Sequence, residues 1–354
     1  MQISNTLRHR VPMLARLRRV VTVGIAIILS AIVAGLAWYS FTASLRETVL
    51  PGRDGHPGTY VKAAGLDMHY MSWGPASGRP ILLIHGTLAW SKTWYEIAER
   101  LANKGYHVIA PDLPPFGFSE RPADGDYSRQ AQGKLILAFA DALSLDRIVL
   151  VGHSFGGGAT LEAAFMAPGR IEGLVLLDVA LSLDNPRGSD MIANLFGAPI
   201  LGRSLTAATF TNPLMTGKGL RDFIYDDRIV DAKRIALYQQ PFVLRDTTSE
   251  VAKWLAGALF GDETRSLAAE QKNYQNFEPP VVLIWGREDS VTPLAQGEQI
   301  RSLFPHVTLM VLDRVNHIPH VEQPDQVAGI MAEFVGALHG ENVLLPQAIL
   351  RRTF

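Results

Sequence analysis

The sequence predicts an α/β fold: a mainly parallel central sheet flanked by helices, with a helical cap inserted into it. Short, fully apolar runs such as Ile81-Leu82-Leu83-Ile84 and Val281-Val282-Leu283-Ile284 have the pattern of strands buried on both faces. They alternate with helix-length segments, the arrangement that gives parallel pairing through crossover helices. Between residues 181 and 272 this alternation stops, and the chain reads as helices and turns with no clear strand.

The amino-terminal region, residues 1–41, stands apart. Residues 1–19 carry Arg8, Arg10, Arg16, Arg18 and Arg19 and no acid, and Val20 to Tyr39 then runs twenty residues without a charge. As a helix that run is about 30 Å long, the thickness of a bilayer core. Trp38 and Tyr39 fall where an aromatic belt would lie, and the basic flank favours a cytoplasmic amino end with the rest of the chain on the far side. The rival reading is a signal peptide, with Gly35-Leu36-Ala37 as its cleavage site and a secreted or periplasmic product. The apolar run is longer than the usual signal core of roughly 7–15 residues, which favours a single membrane anchor.

Residues 42–58, with Pro51, Gly52, Gly55, Pro57 and Gly58, read as a flexible linker. Residues 59–180 and 273–338 form the core. Strands are expected at 59–63, 67–72, 81–84, 107–110, 147–151, 174–177, 281–285 and 307–312, and core helices at 93–103, 128–143, 155–166, 294–303 and 324–338. Apolar clusters around Met191–Leu201 and Phe223–Tyr238, broken by Pro199, Pro213, Gly217 and Gly219, suit a helical cap over 181–272. Residues 339–354 read as a tail. The 354 residues carry a net charge of −1, so no global attraction to nucleic acid is expected. The absence of cysteine excludes a disulfide scaffold, a thiol nucleophile and a Cys-ligated zinc site.

One pentapeptide carries the chemistry. Gly152-His153-Ser154-Phe155-Gly156 follows an apolar strand and opens a helix. Small residues at both ends permit the sharp reversal that lifts a serine hydroxyl clear of the sheet, at a helix N-terminus that favours developing negative charge. A serine needs a base. His317 lies in the loop after the last strand, the place from which an imidazole can hang over the sheet edge, and is preferred to His320, which is placed at the start of the final helix. The base needs an orienting carboxylate. Asp289, after strand 281–285, is the first candidate; Glu288 and Asp178 are alternatives, Asp178 being read rather as a structural hydrogen-bonding group. Two backbone N–H groups are required for an oxyanion. Phe155 supplies one and the loop His85-Gly86-Thr87-Leu88 the other, Thr87 before Leu88, with His85 organising the loop. Residues 152–158 lack the lysine of a phosphate-binding loop, and His317 with His320 lacks a third metal ligand, so neither a cofactor nor a metal is expected.

These motifs together resemble the α/β-hydrolase superfamily, in the capped serine-hydrolase branch, over about residues 59–338. The resemblance rests on His85-Gly86-Thr87, Asp112-Leu113-Pro114-Pro115-Phe116-Gly117-Phe118-Ser119, the 152–156 elbow, Gly286-Arg287-Glu288-Asp289 and Asn316-His317-Ile318-Pro319-His320-Val321-Glu322, with Pro115 departing from the usual glycine. It implies acyl transfer to Ser154 and then to water, on a small-molecule ester with an apolar or lipid-like group. A C–C bond hydrolase of the meta-cleavage-product type and a perhydrolase-type haloperoxidase use the same triad and remain alternatives. A non-catalytic binding module on the same fold is an alternative of another class. The membrane segment resembles that of monoacylglycerol-lipase-like members.

Overall fold

The computed structural model describes residues 5–50, 57–181, 183 and 187–340. Residues 51–56 of the expected linker and nearly all of the expected tail lie outside them.

Eight strands form one sheet: β1 (Thr59–Ala63), β2 (Leu66–Trp73), β3 (Pro80–Ile84), β4 (His107–Pro111), β5 (Ile148–His153), β6 (Ile171–Leu177), β7 (Val281–Gly286) and β8 (Val307–Leu312). Their spatial order is β1-β2-β4-β3-β5-β6-β7-β8. β1 and β2 form a hairpin that turns through Ala64 and Gly65, both at positive φ, and β2 pairs antiparallel with β4. All other pairings are parallel. The fold is therefore the α/β-hydrolase fold, a mostly parallel sheet flanked by helices.

Thirteen α-helices accompany the sheet among the described residues: α1 (Asn5–Arg46), α2 (Tyr95–Ala102), α3 (Arg129–Ala142), α4 (Gly156–Met166), α5 (Asp190–Gly197), α6 (Pro199–Ala208), α7 (Pro213–Asp222), α8 (Ala232–Gln239), α9 (Thr247–Trp254), α10 (Gln271–Gln275), α11 (Leu294–Leu303), α12 (Pro319–Glu322) and α13 (Pro324–Ala337). The pleat sends alternate strand residues to opposite layers. Leu82, Ile84, Leu150, Leu174, Leu176 and Leu283 meet α3, α4 and α11 through Phe139, Leu161 and Ile300. Ile81, Leu83, Val149, Val151, Val175 and Ile284 meet α2 and α13 through Ile97, Leu101, Val327 and Met331.

Register fixes where the functional loops emerge. Ile84 pairs with Gly152, Gly152 with Leu176, and Leu176 with Leu283. The carboxyl ends of β3, β5, β6 and β7 are thus level, and the loops that follow them open on one edge of the sheet, where sites of parallel sheets lie. α5 to α10 come between β6 and β7, and no described residue between 181 and 272 belongs to a strand.

The expected flexible linker is corrected at its start. α1 does not end near residue 41 but continues to Arg46. One face of its final turns is packed: Gly35, Leu36, Tyr39, Ser40, Ala43, Arg46 and Glu47 are half-buried or buried. Arg203 of α6 donates to the Ser40 carbonyl (2.8 Å) and to the Ser44 hydroxyl (3.0 Å). Glu47, 7 % exposed, accepts the Thr248 N–H at 3.1 Å and faces Arg46 and Arg203. Val49 then bridges to Leu244. The helical spacing of these contacts explains the extension: tertiary packing holds turns that Thr42 and Ser44 disfavour by local propensity.

Candidate active site

Ser154 stands between β5 and α4 at φ 51, in the left-handed region that costs a non-glycine residue on the order of 1–3 kcal/mol. Three backbone bonds hold it there. Its N–H donates to the Leu177 carbonyl (3.0 Å), and its carbonyl accepts from Gly157 (3.0 Å) and Ala180 (2.9 Å). The flanking glycines are required by close approach. A Cβ at 152 would lie 2.4 Å from Thr160 Oγ1, and one at 156 would lie 2.1 Å from the His85 carbonyl oxygen.

The Ser154 hydroxyl is 2.8 Å from His317 Nε2, and His317 Nδ1 is 2.9 Å from Asp289 Oδ2. An ionised Asp289 only accepts, so the imidazole carries its proton on Nδ1 and Nε2 accepts from Ser154. All three side chains are buried, with exposures of 7 %, 3 % and 6 % for residues 154, 317 and 289. Asp289 Oδ1 accepts the N–H groups of Val291 (2.7 Å) and Thr292 (2.8 Å), and Oδ2 also accepts from Thr292 Oγ1 (2.6 Å). Burial pushes the Asp289 carboxyl upward, but its hydrogen bonds with His317 and Thr292 and the field of the imidazole outweigh that and hold it below the ordinary range.

The alternative acids occupy other places. Glu288 accepts the Val315 N–H (3.1 Å) and braces the histidine loop. Asp178, fully buried at the end of β6, accepts the Gly286 N–H at 2.9 Å. Burial, together with the charge of Asp289 and a side-chain hydrogen bond to it, pushes the Asp178 carboxyl well up.

Three further histidines, His85, His153 and His320, are buried nearby. His85 Nε2 accepts the Leu113 N–H (2.9 Å), with Nδ1 2.9 Å from the Gly86 carbonyl. His153 Nε2 lies 2.8 Å from the His317 carbonyl, and burial, reinforced by His317, lowers its pKa to about 3. His320 is 4.1 Å from Trp94, ring centre to ring centre, and 3.2 Å from Thr93 Oγ1 through Nε2. Burial depresses it strongly as well.

Sequence reasoning missed the strap that holds the His317 loop. Glu322 accepts the backbone N–H groups of Asn316 (3.1 Å), Ile318 (3.1 Å) and Tyr225 (2.6 Å). The His317 N–H donates to Phe223 O (3.0 Å), and Asn316 Nδ2 to Asp222 O (3.0 Å). Residues 222–225, following α7, are thereby tied to the histidine. The signal was present in Glu322, an acid two residues past His320, whose carboxylate must find donors once buried.

A cavity of about 410 Å³ opens over Ser154 and His317, within the range of roughly 300–1,000 Å³ usual for small-molecule sites. Its wall is mainly apolar, with Leu88, Phe155, Phe210, Met215, Phe223 and Ile318 contributed by core and inserted helices alike. Thr93 Oγ1 and Tyr238 Oη, 2.7 Å apart, form a polar spot in that wall. Thr87, Leu88 and Phe155 all line the cavity beside Ser154. Phe155 leads into the first turn of α4, and Leu88 takes φ 56 to turn the loop after β3. Among the described residues no group of three metal-ligating side chains lies together.

A strained serine on a strand-to-helix turn, a buried histidine and a carboxylate at one edge of a mostly parallel sheet define a class, and the comparisons agree. Residues 79–324 match the alpha/beta hydrolase fold family, and the chain belongs to it. It is a hydrolase of that fold. Among its relatives are a 2-hydroxymuconate semialdehyde hydrolase of Pseudomonas putida, 28 % identical over 80 % of this chain and 96 % of that one, and Lipase 1 of Psychrobacter immobilis, 26 % identical over 79 % and 84 %. Among solved structures, a bacterial membrane phospholipase A superposes with a TM-score of 0.62 and 23 % identity, covering 93 % of this chain and 99 % of that one.

Proposed function

We propose that this protein is a serine hydrolase that cleaves a carboxylic ester of an apolar or lipid-like substrate through an acyl-enzyme on Ser154. The observation that carries the reading is the unbroken Ser154–His317–Asp289 relay at the floor of a largely apolar cavity. In this reading His317 takes the Ser154 proton as the oxygen attacks the ester carbonyl. The N–H groups of Phe155 and Thr87 receive the oxyanion, where preorganised donors act most strongly. His317 then passes the proton to the departing alcohol oxygen. Water, deprotonated by the same imidazole, attacks the acyl carbonyl, and Ser154 leaves with the proton returned. Asp289 holds the imidazole in the required tautomer throughout.

The relative acting on a hydroxymuconate semialdehyde keeps C–C hydrolysis as a second reading. A vinylogous diketo acid brings a carboxylate into the site. The lysine among the described lining residues, Lys218, is mostly exposed and already paired with Asp222, which favours a neutral ester. α1 is the second part of the proposal. Its segment Arg18–Arg46 is long and apolar enough to cross a bilayer, and an 18-residue window within it has mean hydropathy 2.6. We read it as an anchor that holds the hydrolase domain on the non-cytoplasmic side, with a cleaved signal as the alternative.

The test is direct. A fluorophosphonate probe is expected to label wild type and not Ser154→Ala, and Ser154→Ala is expected to lose roughly three or more orders of magnitude in p-nitrophenyl ester hydrolysis while keeping its far-UV circular dichroism. Ester turnover by Ser154→Ala near the wild-type rate overturns the mechanism. A wild type that ignores every ester in a graded series but turns over a vinylogous diketo acid transfers the assignment to C–C hydrolysis.

A further inference from the structure

The way α1 joins the inserted helices fixes more than an anchor. α6 runs beside α1 in the same direction: Arg203, midway along α6, contacts Ser40 and Ser44, while Arg46 at the end of α1 donates to the carbonyl of Thr211, just past the end of α6. The amino end of α6 therefore points back along α1 toward its apolar segment. Ile200 precedes Arg203 by three residues, roughly 5 Å of helix rise, and so stands near the level of Leu36 to Tyr39.

The corner there is unusually bare. From Met191 to Gly202 twelve residues pass without a charge. Ile200 is 85 % exposed, and Leu195 and Leu201 are exposed around it. On α1 itself, Trp38 at the end of the apolar run is exposed as well. Water is a poor neighbour for such a group of side chains. Behind the corner the apolar material is continuous: Phe196 of α5 and Phe210 after α6 pack in one cluster with Trp254, Leu88 and Phe155, the last two being walls of the cavity over Ser154.

We propose that the corner between α5 and α6 is a membrane-contact surface. Ile200 and Leu201 sit in the headgroup–acyl boundary of the same bilayer that α1 crosses, and the apolar cluster behind them leads to the active-site cavity. This rests on reading α1 as a membrane segment and goes beyond it, because an anchor alone leaves the orientation of the domain open. The rigid seat of α1 on α6 closes that freedom. An apolar edge with aromatic side chains at interfacial depth is what a phospholipid surface accommodates.

The absence of cysteine in the chain makes the test clean. Full-length Ile200→Cys and Asp146→Cys are each labelled with bimane and reconstituted in phosphatidylcholine–phosphatidylglycerol vesicles carrying doxyl lipid near the headgroup. Asp146 is exposed just before β5, at the end of the sheet opposite the site. The probe at 200 is expected to shift to the blue and to lose most of its fluorescence to the doxyl lipid, and the probe at 146 to do neither. As a functional arm, Ile200→Glu is expected to lose rate several-fold on a long-chain ester dissolved in vesicles and to keep its rate on soluble p-nitrophenyl acetate. Protein that floats with the vesicles while the probe at 200 stays polar and unquenched overturns the proposal and leaves the anchor standing. Efficient disulfide formation between two Ile200→Cys chains, with no lipid quenching, overturns it in favour of a second copy on this face. Protein that fails to float overturns the anchor and this proposal together.

Discussion

At residue 289 the environment sets two buried carboxylates apart, lowering the pKa of one and raising that of the other. Asp289 has four donors in reach: the Val291 and Thr292 N–H groups, the Thr292 hydroxyl and His317. Asp178 has the Gly286 N–H and is pushed well up by burial and by Asp289 itself. Asn at 178 keeps both an acceptor for Gly286 and a donor toward Asp289. Asp178→Asn is therefore expected to lose far less kcat/KM than Asp289→Asn, for which a fall of about 10²–10⁴ is expected because the imidazole loses its required tautomer. The opposite ranking in steady-state ester hydrolysis would move the orienting acid to 178. The place of Asp289 after strand 281–285 points to it in the sequence; the division of labour needs the three-dimensional contact between β6 and β7. His320 and His153 supply a pH effect. Burial depresses both below the ordinary imidazole value, that of His153 to about 3. Below the ordinary imidazole value of about 6.5 the unfolded chain binds more protons, so the stability they contribute is complete above that value and is lost progressively as pH falls, for His153 down to about 3. In His320→Phe, which keeps a ring on Trp94, the drop in Tm between about pH 7 and about pH 5 is expected to be smaller than in wild type. An equal or larger drop counts against this origin of acid sensitivity.

Among the elements, those set by one-dimensional signals were the most legible. β1, β8 and α11 fall on the expected residues, and the other core strands and helices within a few residues. Continuous apolar runs leave a strand little choice when helices cover both faces. β5 runs two residues past the expected 147–151: Gly152 and His153 lack strand character, and pairing with Leu176 and Leu177 keeps them extended. The end of α1 was not legible. It is followed by Glu47, whose carboxylate meets Thr248 and Arg203, 201 and 156 positions away in a segment that periodicity does not connect to it. The same cluster yields a prediction. Burial raises the Glu47 carboxyl, yet its removal would leave Thr248 and two arginines without their shared acceptor. Glu47→Ala is expected to lower stability in detergent by about 1–3 kcal/mol, read by urea denaturation of Trp fluorescence. A cost indistinguishable from zero would mean that α1 rests on α6 by apolar contact alone.

The whole molecule joins a hydrophobic helix to an α/β body through a packed joint, and its placement in the cell is the last expectation. Five arginines precede the apolar run and no acid does, so translocating the amino end costs more than retaining it, whereas Arg46 and Glu47 nearly cancel on the other side. A helix satisfies its own backbone hydrogen bonds, as hydrocarbon demands. The 42–58 segment was expected to act as a loose tether, but α1 continues through Arg46 and is fixed to α6, so the body follows the helix rather than swinging from it. That joint also bears on the rival reading. A cut after Ala37 would leave Trp38 to Glu47 on the domain, including the contacts of Ser40, Arg46 and Glu47, so the catalytic body would survive cleavage with its joint intact. Activity by itself is therefore uninformative about anchoring, and the decisive measurement is physical. Membranes washed in alkaline carbonate are expected to retain a full-length chain whose amino-terminal sequence begins before residue 20, with the hydrolase domain digested by protease only when added from the non-cytoplasmic side. A soluble, active chain beginning at Trp38 would make the segment a signal peptide, and full-length protein released by carbonate would leave α1 lying on the surface rather than crossing it.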